Sequence, residues 1–492
     1  MLKKKFHWVW ISMLVLILLG SQLLAPASSL IHADGTRAQA SENQDLSIYL
    51  PLAIKEFPPP ATAFGIDLGA IVPNNGLNQM VQAGTYWVRR DGVDWKAVEP
   101  NKGDRNWGAL AILVTDIINA QRKGLEPIVI VSGTPSWARK YPDYGCGPIK
   151  SSEFGAFADF MKDLVARYSV APYNVKYWEI WNEPDASYLG MSAEPDSRFG
   201  CWGEPSDTYF GGEYYGEMLK VVTPQIKLAD PETKVIVGGL LLDCDPAAPP
   251  SGRTCAESRF LEGILRAGGG DYLDGVSIHA YDYYSGSLGA FSNPNWQSAW
   301  NTTGPVVTAK VNHIRNILNH PDFGAPGKFI MNTEAALVCG SPADLPGTGM
   351  CDSNPASAFE LTKADYVAKV FAVDQSLGLL SSIWYNVFGW RNSGLLNTDL
   401  TTRPAYTAYA VAQDAIGGAD FDGKVDQYAG VEGFKFSRVN KIVWVLWSKD
   451  GQNHAVDLGS MPFAVYDALG QASTPSQTIT VGLKPLYVEW NK

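Results

Sequence analysis

At 492 residues the chain exceeds one ordinary domain, yet it fits a barrel of about 250–350 residues with an appendage. Its net charge of −11, from 39 Lys and Arg against 50 Asp and Glu, offers no basic face for nucleic acid and makes a strongly anionic polysaccharide a less natural partner. Hydrophobic content of 46% supports a large core, and 16 Trp suit sugar clefts as well as cores, because the apolar face of a pyranose stacks on an indole ring.

The first residues read as an export signal spanning 1–33. Lys3, Lys4 and Lys5 form a charged head, Trp8 to Leu24 an apolar core, and Ala25-Pro-Ala-Ser-Ser29 a small-residue stretch. The alternative is an uncleaved anchor, for which the apolar core is short; only then is the membrane a partner. Either reading puts the folded part outside the cytoplasm, secreted or at the cell surface. There the even set of cysteines, Cys146, Cys201, Cys244, Cys255, Cys339 and Cys351, reads as disulfides. Cys244–Cys255 and Cys339–Cys351 each close a short loop, which leaves Cys146–Cys201 as the long-range pair. With no CxxC and no His cluster nearby, no metal site is expected. Residues 34–61 are polar and then Pro-rich, interrupted by the apolar Ile48-Tyr-Leu-Pro-Leu-Ala53, and read as a spacer.

From Ala63 onward, apolar runs of strand length alternate with segments of helical period. The strands are expected at 63–68, 85–91, 126–132, 175–183, 234–242, 274–281, 328–334 and 381–388. Helical spacing appears in 107–122 through Leu110, Leu113, Val114, Ile117 and Ile118, and in 153–168 through Phe154, Phe157, Met161, Leu164, Val165 and Tyr168. Further helices fit 257–267, 306–319, 358–376 and 403–415. Eight nearly all-apolar strands alternating with helices predict parallel strands buried on both faces, an α/β fold of the (β/α)8 TIM barrel type over 62–417. No glycine-rich phosphate loop follows the first strand, so no nucleotide cofactor, and no cofactor at all, is expected. After about residue 418 the helical period disappears and short alternating runs take over, predicting a small antiparallel, β-sandwich-like domain over 418–492. Asp420, Asp422 and Gly423 faintly evoke a calcium loop, but position twelve is Val431 where Glu is needed, so a plain turn is expected.

Barrels place chemistry at the C-terminal ends of their strands. Strand four ends on Asn182 and Glu183, and strand seven on Glu334. Two carboxylates at one rim suit glycosidic cleavage, which uses a pair flanking the bond. The rim also gathers Arg89, Arg90 and Asp91 on strand two, Trp137 after strand three, His279 and Tyr281 on strand six, and Trp384 and Trp390 on and after strand eight. Alternation along strand four sets Glu179, Trp181 and Glu183 on one face, with Glu179 deeper as the buried partner of a basic side chain. Asn182 then points away unless the strand bends, and Pro184 favours a distortion at 182–183.

Trp181-Asn182-Glu183-Pro184 resembles the acid/base signature of clan A, the retaining glycoside hydrolases built on (β/α)8 barrels. Arg90 five residues before Trp95, His279-Ala-Tyr281 and Trp384 agree with it. The run from Trp95 through Glu99-Pro100 to Gly103 and Trp107, with Thr134-Pro-Ser-Trp137, is similar to family 39, and family 5 is the nearest rival. The resemblance covers roughly 62–416. It implies an exported enzyme hydrolysing β-O-glycosidic bonds of oligo- or polysaccharides, with Glu183 as acid/base and Glu334 as nucleophile. It further implies Asn182 on the sugar 2-hydroxyl, Arg90 and Tyr281 orienting Glu334, His279 lining the floor or bonding Glu183, Trp384 as stacking platform, and a cis peptide after Trp384. Arg90 is preferred to Arg89 on its spacing to Trp95 alone. Trp137 and Trp390 stay open between cleft wall and core. A transglycosylase using the same intermediate, or a non-catalytic sugar-binding protein on a degenerate barrel, are the alternatives.

Overall fold

The computed structural model describes residues 61–187, 199–295, 298–300, 302, 304–340 and 351–492; the expected signal peptide and nearly all of the spacer lie outside them. Eight parallel strands form the barrel: β1 (Phe64–Asp67), β2 (Trp87–Asp94), β3 (Glu126–Ser132), β4 (Tyr177–Ile180), β5 (Lys234–Leu240), β6 (Gly275–Tyr284), β7 (Phe329–Val338) and β8 (Ser382–Trp384). Each pairs with the next, β8 pairs with β1, and the sheet closes on itself. This is the predicted architecture.

Side-chain alternation explains why the strands read as apolar throughout. One face of each strand joins the large core shared with the helices: Phe64 and Ile66, Val88, Val129 and Val131, Trp178 and Ile180, Val276 and Ile278. The opposite face fills the lumen. Its floor is a separate apolar plug of Trp87, Ile128, Ile236, Met331 and Ile383. Directly above that plug the lumen turns polar, with Glu179 accepting from both Arg89 and Ser277.

The outer helices are α1 (Leu77–Gln82), α2 (Ala111–Arg122), α3 (Phe154–Tyr168), α4 (Gly212–Ala229), α5 (Phe260–Arg266), α6 (Val307–Leu318), α7 (Ala358–Ser376) and α8 (Pro404–Ile416). α1 and α4 are absent from the periodicity reading. In α4, Pro224 and two glycines obscure the helical signal. Both glycines are packing necessities: a Cβ at Gly212 would lie 1.9 Å from the Phe260 carbonyl, and one at Gly216 would lie 2.9 Å from that of Ile264.

The C-terminal strands form separate antiparallel sheets, the larger ordered Asp420–Lys424, Val431–Ser437, Lys441–Ser448, Leu486–Asn491, Ala464–Asp467 and Ala472–Ser473. Asp420 and Asp422 thus lie in a strand, not in an ion-binding loop. One face of that sheet, with Phe434, Phe436, Val443 and Val445, shares the barrel's core. α7 touches both the sheet and β7, which accounts for its burial nearly all the way round. The cysteines pair as Cys146–Cys201, Cys244–Cys255 and Cys339–Cys351.

Candidate active site

β4 stops at Ile180 because the chain turns sharply. Trp181 has φ 65° and Glu183 φ 51°, both in the left-handed region that non-glycine residues adopt only under external restraint. The restraints are visible. The Trp181 indole donates to the Cys146 carbonyl at 2.9 Å, beside the disulfide to Cys201. Asp185 accepts from the Leu241 and Leu242 amides at 3.0 and 2.9 Å. The distortion brings both Asn182 and Glu183 to the lumen side. On β7 the register against β6 shifts between Asn332 and Glu334, a bulge that turns Glu334 inward just above Thr333.

Glu183 and Glu334 therefore meet. One carboxylate oxygen of each and a ring nitrogen of His279 all lie within 4.8 Å of one another. His279 Nδ1 is 2.7 Å from Glu183 Oε1 and 3.5 Å from Glu334 Oε2. Arg89 is nearly inaccessible and makes three contacts: Nη1 to Glu334 at 2.5 Å, Nε to Glu179 at 2.7 Å, and Nη2 to Asn182 Oδ1 at 2.6 Å. The Tyr281 hydroxyl donates to Glu334 Oε2. Each oxygen of Glu334 thus already accepts a hydrogen bond, from Arg89 and from Tyr281, for which a cation placed among Glu183, His279 and Glu334 would compete.

Burial, then the charges of Glu334 and Asp185, push Glu183 well above the usual carboxylate range. Burial raises Glu334 to about 7, against the pull of Arg89 and the Tyr281 hydroxyl. Of the two, Glu183 holds its proton more tightly, since Arg89 bonds Glu334 directly. Burial and the cations Arg89 and Lys310 hold His279 far below its ordinary range, so it is neutral. Its Nε2 is buried without a partner among the described residues, tight against Gly239, where a Cβ would lie 1.9 Å away.

The groups face a cavity of about 560 Å³. Three expectations need correction. Arg90 does not hold Glu334; its guanidinium turns to Asp116 of α2 at 2.7 Å and to the Asp91 carbonyl, while still lining the cavity edge. A register shift in β2 between Asp91 and Val93 makes the spacing to Trp95 misleading. Trp384 is no stacking platform: it is fully buried toward α7, its indole donating to the Ser393 carbonyl at 2.9 Å. Ile383 faces the lumen, so the next inward position is Tyr385, which lines the cavity; the cis peptide likewise follows Tyr385, not Trp384. Trp137 is half-buried on Trp95 and donates to the Glu99 carbonyl, outside the cavity wall. Trp390 does line the mouth, 38% exposed and edge-on to Tyr281.

The site also contains Asp67, Tyr385 and Lys310, which the sequence reading overlooked. Asp67 and Tyr385 were findable by alternation from Gly65 and Ile383. Lys310 comes from α6, whose Nζ reaches the Leu241 and His279 carbonyls at 2.7 Å, and no strand pattern points to it.

No protein-family model and no curated protein sequence matches the chain. Solved structures do. A family 39 glycoside hydrolase from Bacteroides cellulosilyticus aligns over 88% of this chain and 81% of its own, with TM-score 0.60 and 17% identity. A family 30 subfamily 8 xylanase from Clostridium acetobutylicum aligns over 87% and 96%, with TM-score 0.56 and 14% identity. A family 51 α-L-arabinofuranosidase from Bifidobacterium longum aligns over 88% and 96%, with TM-score 0.53 and 14% identity. At such identities the likeness is one of fold.

Proposed function

We propose that the chain is an exported glycoside hydrolase of the clan A type that cleaves β-O-glycosidic bonds with retention, Glu183 serving as acid/base and Glu334 as nucleophile. The observation that carries this reading is the approach of one oxygen of each carboxylate within 4.8 Å, with Arg89 bonded to Glu334 and not to Glu183. Retention needs carboxyl groups about 5–5.5 Å apart, whereas inversion needs about 6.5–9.5 Å to admit a water. The three solved glycoside hydrolases of the same fold support the reaction class. The three disulfides fit an oxidising compartment, in keeping with the N-terminal segment as an export signal.

In the first step Glu334, ionised beside Arg89, attacks the anomeric carbon as the bond to the leaving oxygen breaks. Glu183 gives that oxygen its proton. Glu334 is then an ester and carries no charge, which removes the electrostatic cause that raised Glu183 most after burial. Glu183 therefore remains ionised and takes a proton from water, whose oxygen attacks the same carbon and frees Glu334. One water is consumed and both carboxyls return to their starting states. His279, neutral and bonded to Glu183, orients the acid through both steps.

The test is turnover of aryl β-glycosides, with the anomer formed first read by proton NMR. Retention is expected. Glu334→Ala should abolish turnover of every substrate. Glu183→Ala should lower kcat/KM on poor leaving groups about 10²–10⁴-fold while sparing kcat/KM on dinitrophenyl glycosides, whose kcat then falls because the second step has lost its base. Full activity in Glu334→Ala, or inverted product, refutes the assignment.

A further inference from the structure

The catalytic pair leaves one buried carboxylate in the cavity unexplained. Asp67, at the end of β1, is only 8% exposed and lines the cavity beside Arg89, its register partner on β2. Its Oδ1 accepts from the Gly69 amide at 2.9 Å, and among the described residues no hydrogen bond reaches Oδ2. A buried acceptor open only toward a cavity is unfavourable unless a ligand or water donates to it. Asp91 adds a second carboxylate farther out, at the cavity edge on β2. Among the described residues the cations of the wall are already engaged: Arg89 is paired with Glu179 and Glu334, Arg90 with Asp116, and Lys310 donates to two carbonyls. A sugar hydroxyl entering here meets an acceptor, whereas a sugar carboxylate meets like charge, with no cation among the described residues of the wall left without a partner.

We propose that Asp67 is a specificity residue that accepts hydrogen bonds from hydroxyls of the sugar being cleaved, and that with Asp91 it makes the cavity select neutral sugars over uronic acids. This deepens the glycosidase reading and rests on it.

The test compares para-nitrophenyl β-glycosides of neutral sugars with the corresponding uronide. Wild-type kcat/KM should favour the neutral member by about 100-fold or more. Asp67→Asn keeps the shape and removes the charge. It should lower kcat/KM on the neutral substrate by about 10–100-fold, the size of one lost hydrogen bond to a charged acceptor, and should narrow the neutral-to-uronide ratio. Asp91→Asn, on an exposed side chain, should narrow the ratio too and reports the charge effect should Asp67→Asn fail to fold. Equal turnover of the uronide, or an unchanged ratio in the folded variants, overturns the inference. If the wild type turned over no β-glycoside, the hydrolase reading would fall alone. Saturation-transfer NMR with a methyl glycoside and its uronic counterpart then decides: preference for the neutral ligand, reduced in Asp67→Asn, upholds the carboxylate wall, and no preference overturns it.

Discussion

Arg89 and Arg90 are adjacent in sequence, and only one of them touches Glu334. Replacing Arg89 with Gln removes the cation that lies 2.5 Å from Glu334 Oε1. With charge centres about 4 Å apart and an effective dielectric near 20, that cation is worth about 4 kcal/mol, or about 3 pKa units, to the ionised carboxylate. Glu334 already sits at about 7, so losing the cation drives the proposed nucleophile farther up. At pH 6 the ionised fraction should then fall by about 10³, and kcat/KM with it. The acidic limb of the pH profile should move to higher pH, because deprotonation of Glu334 is what that limb reports.

The assay is kcat/KM from pH 5 to 9 on a dinitrophenyl glycoside, which does not need Glu183 as acid. Arg90→Gln loses a largely buried pair with Asp116 that does not touch Glu334, so it should cost stability, lower kcat/KM of the folded variant by less than about tenfold and leave the limb in place. Stranding Glu179 and Glu334 without a cation costs about 3–5 kcal/mol of stability, so Arg89→Lys, which keeps one charge but cannot reach three acceptors, serves as the milder companion. An unmoved limb in folded Arg89→Gln, or an equal loss in Arg90→Gln, refutes the assignment of Arg89.

Two further outcomes follow from buried groups. Gly239→Ala would place a Cβ against His279 Nε2 and force the ring off Glu183, so it should slow poor leaving groups more than good ones; a loss independent of leaving group counts against His279 as the positioning residue. Asp374 on α7 is pushed by burial to about 7, with Oδ1 unpartnered among the described residues while Oδ2 accepts from Asn332 and Ser382. A carboxyl raised this way contributes stability that is complete below its unfolded pKa and is lost as pH rises through about 7. Asp374→Asn should therefore gain on the wild type between pH 4 and pH 8, by up to about 4 kcal/mol in thermal unfolding, and a gap that does not widen with pH would contradict the argument.

The barrel was legible because eight apolar runs alternated with helical spacing, and the two carboxylates because each ended such a run. What escaped was the facing of single positions within a run. Where both faces of a strand are buried, hydrophobicity no longer marks which face is which, so Arg89 and Arg90, or Trp384 and Tyr385, look equivalent. The distinction was recoverable from the inward ladder that begins with Gly65 and Asp67 on β1 and Trp87 and Arg89 on β2. Spacing across the shift in β2 counted a residue that the pleat does not count. Lys310 was beyond such reasoning, since it enters from a helix.

The layered lumen also shows how a buried cation could serve the proposed nucleophile, whose charge comes and goes in the proposed mechanism. Glu179, below the site, accepts from Arg89 Nε, the Gly239 amide at 2.7 Å, the Ser277 hydroxyl at 2.5 Å and Thr333 at 3.2 Å. Its charge is fully hydrogen-bonded whatever happens above it. In the proposed intermediate Glu334 is neutral, and an arginine paired with it alone would be left as an uncompensated buried charge, an expensive state. Because Glu179 holds Nε independently, Arg89 keeps its ionic partner and its orientation through the cycle, and is already in place when Glu334 is released as a carboxylate. The inward polar step from Trp87 to Arg89, directly above the apolar plug, is thus what lets one strand both close the barrel floor and stabilise the charge at its rim.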